Sequence, residues 1–361
     1  MSNLSARAPG RVELLGNHTD YNEGVVLAAA INHFVTVHGR AHSADRIILQ
    51  STFADQPVDV PLVGFAPLDK ASSWANYGLG VVSCLQQAGY PLGGFNMSVD
   101  SDLPVGAGLS SSAALEVATA CLLMKLFGLE IEPLALAKIC RRAENEFVGV
   151  QCGLLDQVSS IFGKRGQTVY LDCRSEVVEN IPLPARTSLL VFHCGVEHQL
   201  TGGEYNERRE QCFAAASELG VRALRDVDGA RLARARAWLD PVIYRRAAHI
   251  VGEDERVFAG IGYLREGDGR AFGALMFASH ESSRVNFENS TPELDILVDL
   301  ARDIPGVLGS RLTGGGFGGA TISLVDQAAA PAVAQRLTRE YRARTGIAGR
   351  AYLCESADGA A

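Results

Sequence analysis

The chain has 361 residues, 47 % of them hydrophobic, which is enough to bury a sizeable core and, by length, suggests two domains. A net charge of −8 argues against a nucleic-acid binder, which needs a concentrated basic face. Eight cysteines without a C-x-x-C pair, an opening MSNLSARAPG with no apolar leader, and no run long enough to span a bilayer point to a cytoplasmic protein with no membrane partner.

In chain order, GRVELLGNHTDYNEG comes first, with Arg11 in a loop ahead of VELL and Asn17, His18, Asp20 and Tyr21 crowded around a turn. FVTVHGRA and RIILQST alternate as the two strands of a hairpin about the turn-prone HSAD. GFNMSVDSDLP is a further strand closed by Pro104, and an apolar helix runs from about Ser111 to Phe127. EPLALAKICRRAENEF gives a second helix, with Pro133 suited to its first turn. Strands follow near residues 168 (TVYLDC) and 187 (TSLLVFHCG), and the domain boundary is expected between residues 160 and 185. The second half is mostly helical, through EYNERREQCFAAASELG, ARLARARAWL, PVIYRRAAHIV, AFGALMFASHESS and PELDILVDLARDI. Within it, the charges of RRAAHIVGEDERVF read as the outer face of a helix. RLTGGGFGGATISLV is a glycine loop entering a strand, and APAVAQRLTREYRART is the last helix.

The strongest chemical signal is DLPVGAGLSSSAALEVATA. Gly106 and Gly108 free the backbone, and the serines then open a helix whose unpaired N–H groups and dipole favour an anion. No Lys follows in the G-K-[ST] arrangement, so this is not a Walker A loop, and an ordinary capped helix after a glycine turn is the bland alternative. A second loop, TGGGFGGA, makes that alternative weaker, because so many glycines cost chain entropy without filling a core. Glu144 and Asp156 are candidate acids. If a short helix begins after Gly153, its positive end keeps Asp156 ionised, as proton acceptance in phosphoryl transfer requires. On spacing alone, both acids could equally be solvated.

At this point the residues match a known family. APGRVELLGNHTDYNEG, LPVGAGLSSSAALEV and SRLTGGGFGGATISL resemble the three motifs of the GHMP small-molecule kinases, in order and with fitting spacing. AENEFVGVQCGLLDQVSS, EYNERREQC and SHESSRVNFENSTPELD are similar to segments of the galactose-phosphorylating members, so the resemblance runs from about Ala8 to the C-terminus. It implies a two-domain α/β (α+β) fold, residues 1–170 and 171–361, with a ribosomal-protein-S5-domain-2-like N-terminal half and the active site in the interdomain cleft. It further implies transfer of the γ-phosphoryl group of ATP to the anomeric C1 hydroxyl of galactose, with Mg2+ as cofactor.

By position in the family motifs, ATP phosphates fall to Gly106, Ala107, Gly108, Leu109, Ser110, Ser111 and Ser112, and magnesium to Ser112 and Glu144. Asp156 matches the catalytic aspartate and Arg11 the arginine that holds it. Sugar contacts carry over to Arg11, Asn17, His18, Asp20, Gly153, Asp156 and Tyr205. Trp74 resembles a residue near the adenine site, although a core Trp fits it as well. The one departure is Asn17, where the family's usual residue is Glu, and it implies relaxed recognition at one sugar hydroxyl, that on C6. The rival readings are a kinase for N-acetylgalactosamine or galacturonate, and a non-catalytic galactose sensor. Oligomeric state is not legible.

Overall fold

The computed structural model describes residues 3–104, 108–196 and 203–361. Its first sheet holds β1 (Leu4–Leu15), β2 (Val25–His42), β3 (Arg46–Ser51), β4 (Val58–Pro61), β5 (Gly94–Ser101), β6 (Gln167–Asp172) and β7 (Val178–Pro182). The strand order is β4-β3-β5-β2-β6-β7, with β1 also paired along the long β2. The helices that belong to it are α1 (Asn76–Gln87), α2 (Ser111–Phe127), α3 (Pro133–Arg142) and α4 (Leu155–Phe162). A second sheet, ordered β11-β8-β10-β9, holds β8 (Thr187–His193), β9 (Val307–Thr313), β10 (Ala320–Asp326) and β11 (Arg350–Cys354). α5 (Gly203–Glu218) and α6 (Gly229–Ala235) pack on α7 (Pro241–Glu266), which lies against α8 (Gly269–Ser282) and strands of the first sheet, while α8, α9 (Pro292–Arg302) and α10 (Ala330–Thr345) pack on the second sheet. Among the described residues no helix is long and apolar enough to cross a membrane, and all eight cysteines are free.

α2 spans the residues that its composition predicts. Ala113, Ala114, Val117, Ala118 and Ala120 are buried, and these small side chains let the helix lie close on β1 and β2. Gly128 ends it in the left-handed region, which a residue without Cβ adopts at little cost. Pro133 opens α3 as expected.

Three expectations are corrected. FVTVHGRA and RIILQST are strands, but they do not form a hairpin: β5 lies between them, antiparallel to β2 and parallel to β3. Alternation marks a strand's buried face and says nothing about its neighbour, and the parallel β3–β5 pair needs the crossover that α1 supplies. Arg11 lies within β1, not in a loop. The charges of RRAAHIVGEDERVF are not an outer face, because Arg246, His249, Glu253 and Asp254 are all buried. α7 is covered by α5, α8 and strands of the first sheet, and its charges are matched by partners from elsewhere in the chain.

One of those matches sets the geometry of the site. Glu253 accepts the backbone N–H groups of Gly16 and Asn17, and Asp254 accepts that of Val25. A helix of the second half thus anchors the turn between β1 and β2.

Candidate active site

β1 and α4 bring Arg11 and Asp156 together across 145 residues of sequence. Arg11 Nε donates to Asp156 Oδ1 at 2.8 Å and Nη2 to Oδ2 at 3.0 Å, a two-pronged pair that fixes the carboxylate's plane. The remaining nitrogen, Nη1, donates to the carbonyl of Gly108 at 2.7 Å, and the Ser110 hydroxyl donates to Asp156 Oδ2. Ser110 has a φ of 57°, a left-handed conformation that a side-chain-bearing residue adopts only when its surroundings hold it there. The same carboxylate is therefore tied to the end of the glycine–serine loop, where α2 presents its first N–H groups. Gly106 and Ala107 lie outside the described residues. Gly108 and Ser111 are exposed, Ser110 and Ser112 half-buried, and Leu109 is packed in the core.

Glu144 lies just behind this pair, in a π-helical turn that continues α3. Its Oε2 accepts from Cys152 Sγ at 3.3 Å and from Gln157 Nε2 at 3.0 Å, and the carboxylate also bonds the Ser112 hydroxyl. Burial, and then the charge of Asp156, raise its pKa, against the three hydrogen bonds. Gln157 Nε2 reaches a further carboxylate, the fully buried Glu116, whose pKa is pushed up to about 10 by burial and by Glu144. Burial and the neighbouring acids push the Cys152 thiol far up as well, so it remains a neutral donor.

His18, Asp20 and Tyr205 form a wall beside Asp156. His18 Nε2 pairs with the Gly315 carbonyl at 3.0 Å and Nδ1 with the Tyr21 hydroxyl at 2.9 Å. Burial lowers its pKa to about 4, so the imidazole is neutral, with Nε2–H donating to the carbonyl and Nδ1 accepting from the phenol. The rings of Tyr205 and Phe287 lie against it at 5.1 and 4.6 Å. Burial, with a further push from Asp156, raises Asp20 to about 6 against the Tyr21 backbone N–H. A Cβ on Gly153 would collide with Asp20 Oδ2, so only glycine lets the carboxylate pass.

Asn17 is buried and turned toward the third motif. Its Nδ2 donates to the Gly314 carbonyl at 2.8 Å and, more weakly, to Glu13 Oε2 at 3.4 Å, while its Oδ1 accepts from Asn289 at 3.0 Å. Glu13 pairs at 3.1 Å with Arg311, which is entirely enclosed. Burial opposes the charge on Glu253, but Arg256, His249, Arg311 and the Asn17 N–H outweigh it and hold its carboxyl below the usual range. Trp74 lies in a 3-10 turn, half-buried against the main core, with its indole N–H unpaired among the described residues.

Glu13, Glu116, Gln157, Glu253, Asn289 and Arg311 were not anticipated from sequence. Glu116 had a local signal, since it follows Ser112 by one helical turn, and Gln157 adjoins Asp156. The others meet the site only through long-range packing.

Three family models match the chain: the galactokinase galactose-binding signature over residues 2–41, the GHMP kinases N terminal domain over 76–164, and the GHMP kinases C terminal domain over 261–343. Galactokinase of Bos taurus is 42 % identical, over 99 % of this chain and 91 % of its own length. That of Thermotoga maritima is 38 % identical, over 99 % of both chains. The crystal structure of Lactococcus lactis galactokinase complexed with galactose superposes with a TM-score of 0.95 at 29 % identity, covering 100 % of this chain and 95 % of that one. The mevalonate kinase of Methanococcus jannaschii, at 19 % identity, covers 99 % of both chains with a TM-score of 0.70 and shares the fold.

Proposed function

The chain belongs to the galactokinase branch of the GHMP kinases, and we propose from that premise that the Arg11–Asp156 pair is its reacting centre. The enzyme transfers a phosphoryl group from ATP to galactose. The observation that carries the assignment is that one carboxylate takes both prongs of a buried arginine and also the hydroxyl at the end of the phosphate loop.

In this reading the anomeric hydroxyl of galactose rests against Asp156. As the sugar oxygen bonds to the γ-phosphorus, its proton passes to Asp156, the bond from phosphorus to the β,γ-bridging oxygen breaks, and ADP leaves. Arg11 holds the carboxylate in plane until then. The N–H groups at the start of α2 and the hydroxyls of Ser111 and Ser112 face the phosphate oxygens, where fixed donors offset the charge of the transition state. Neutral His18 keeps its ring between Tyr21, Tyr205 and Gly315, and Asp20, seated over Gly153, accepts from sugar hydroxyls.

Magnesium fits the donor set: Glu144 and the hydroxyl bonded to it, Ser112, would hold it as hard oxygen ligands, and Mg2+ ordinarily takes one or two protein oxygens besides phosphate and water. When bound, it neutralises phosphate charge and orients the nucleotide. Asn17 serves in this scheme as a pin between the first and third motifs.

The test is ADP release with galactose, 6-deoxygalactose, N-acetylgalactosamine, glucose and galacturonate, with the product located by phosphorus NMR. Galactose is expected to be the best substrate, phosphorylated at C1. Asp156→Ala should abolish sugar-dependent release while leaving nucleotide binding intact, and near-normal turnover in that variant would refute the assignment.

A further inference from the structure

Glu116 has no place in the scheme above, yet it is an expensive residue. It lies in the interior of α2, entirely enclosed, and its Oε1 has no hydrogen-bond partner among the described residues. A buried carboxyl group with an unpaired oxygen carries a desolvation cost that an apolar side chain of the same shape would not. What it does have is Gln157. Nε2 of that amide lies 3.0 Å from Glu116 Oε2 and 3.0 Å from Glu144 Oε2. An NH2 group carries two hydrogens, and here each goes to a different carboxylate. Gln157 is itself fully buried and follows Asp156 directly, so the first turn of α4 reaches both carboxylate centres of the site.

We infer that Glu116, acting through Gln157, is a positioning residue for the magnesium ligand Glu144. Gln157 and Cys152 together occupy Glu144 Oε2 from the protein side, and Oε1 is the oxygen these two donors leave. Without Glu116 the amide of Gln157 can rotate away, and Glu144 loses the donor that fixes its plane. The inference rests on reading Glu144 as a metal ligand. Groups that orient metal ligands from behind typically cost about 10- to 100-fold in metal affinity when removed.

The experiment is calorimetric titration of ADP into the whole protein, with and without Mg2+, for the parent, Glu116→Leu, Gln157→Leu, Glu116→Gln and Glu144→Gln. Thermal unfolding and galactose binding are measured on each. In Glu116→Leu and Gln157→Leu, the factor by which Mg2+ strengthens ADP binding should fall about tenfold or more, with metal-free ADP affinity and galactose affinity unchanged. Glu116→Gln keeps a carbonyl that accepts from Gln157, so its factor should stay within about threefold of the parent's. If Glu116→Leu fails to fold, Gln157→Leu carries the test. Lowered stability with an unmoved factor overturns the proposal, and so does a Glu116→Gln variant as impaired as Glu116→Leu. If Glu144→Gln moves the factor and the Glu116 and Gln157 variants do not, the positioning role alone is lost. If Glu144→Gln does not move it, the ligand reading falls and takes the positioning role with it.

Discussion

Replacing Asn17 with the family's usual Glu should damage this protein, and the reason lies four residues away. At the 3.4 Å that separates Asn17 Nδ2 from Glu13 Oε2, two carboxylates repel by about 5 kcal/mol at an effective dielectric of roughly 20. Arg311 already pairs with Glu13 and offers one cation for two anions. Taking up a proton caps the penalty: at pH 7 that costs an ordinary carboxyl about 3.7 kcal/mol, and Glu13 less, because burial already raises its pKa. Asn17→Glu should therefore lose about 2–4 kcal/mol of stability, a fall in Tm of roughly 3–5 °C. Galactose affinity should fall with it, because Asn17 holds Gly314, next to the Gly315 carbonyl that orients His18. Adding Glu13→Gln removes the second carboxylate and gives the introduced one an amide donor. In a four-member cycle followed by thermal unfolding and calorimetry, the double variant should regain more than half of the loss. Additive effects, or an Asn17→Glu variant as stable as the parent, would show that this pair is not the reason Asn is found here.

Arg11→Lys replaces a fork on Asp156 and Gly108 by a point charge; kcat should fall roughly 30- to 1000-fold with nucleotide affinity little changed, and a fall under threefold in steady-state assays would count against the pairing. Gly153→Ala drives a methyl into Asp20, so KM for galactose should rise at least about tenfold while KM for ATP holds; an unchanged galactose KM would mean that Asp20 does not touch the sugar. Asp254, raised to about 7 chiefly by burial, holds its proton in the folded chain where the unfolded chain, at 3.8, releases it. Its contribution is full below pH 3.8 and is lost as pH rises through 7. Asp254→Asn still accepts from Val25, so its stability relative to the parent should climb by about 3–4 kcal/mol between pH 4 and pH 8 in denaturant titrations. Parallel curves for the two proteins would exclude the shifted carboxyl.

Elements with strong local signals were legible. α2 was readable because its apolar run is long and its end is marked by Gly128, and α3 because Pro133 opens it. Strand existence was legible where side chains alternate, as in β3, whose buried Ile47 and Leu49 share one face. Strand partners were not, because the hydrogen bonds that choose them come from the backbone, which every residue supplies alike. β5 could enter between β2 and β3 without leaving any mark on either sequence. β1 was hidden for a different reason: from Arg11 to Leu15 it is buried throughout, so it shows no alternation to read.

The candidate site divides along the same line. The glycine–serine loop announces itself because anion binding at a helix start is local chemistry, carried by neighbouring residues. The charges that hold the loops are not local, and on α7 they misled. A helix stripe of Arg, His, Glu and Asp has one periodicity whether it faces water or a set of counter-charges, so the pattern cannot tell the two apart. Only the partners decide, and for Glu253 those include, besides Arg256 on its own helix, backbone N–H groups 236 and 237 residues away. The same arrangement explains why Asn17 could be singled out from sequence while its task could not. Its irregularity is a property of one position, whereas its task is shared with Glu13, Gly314 and Asn289, and only the fold puts those four side by side.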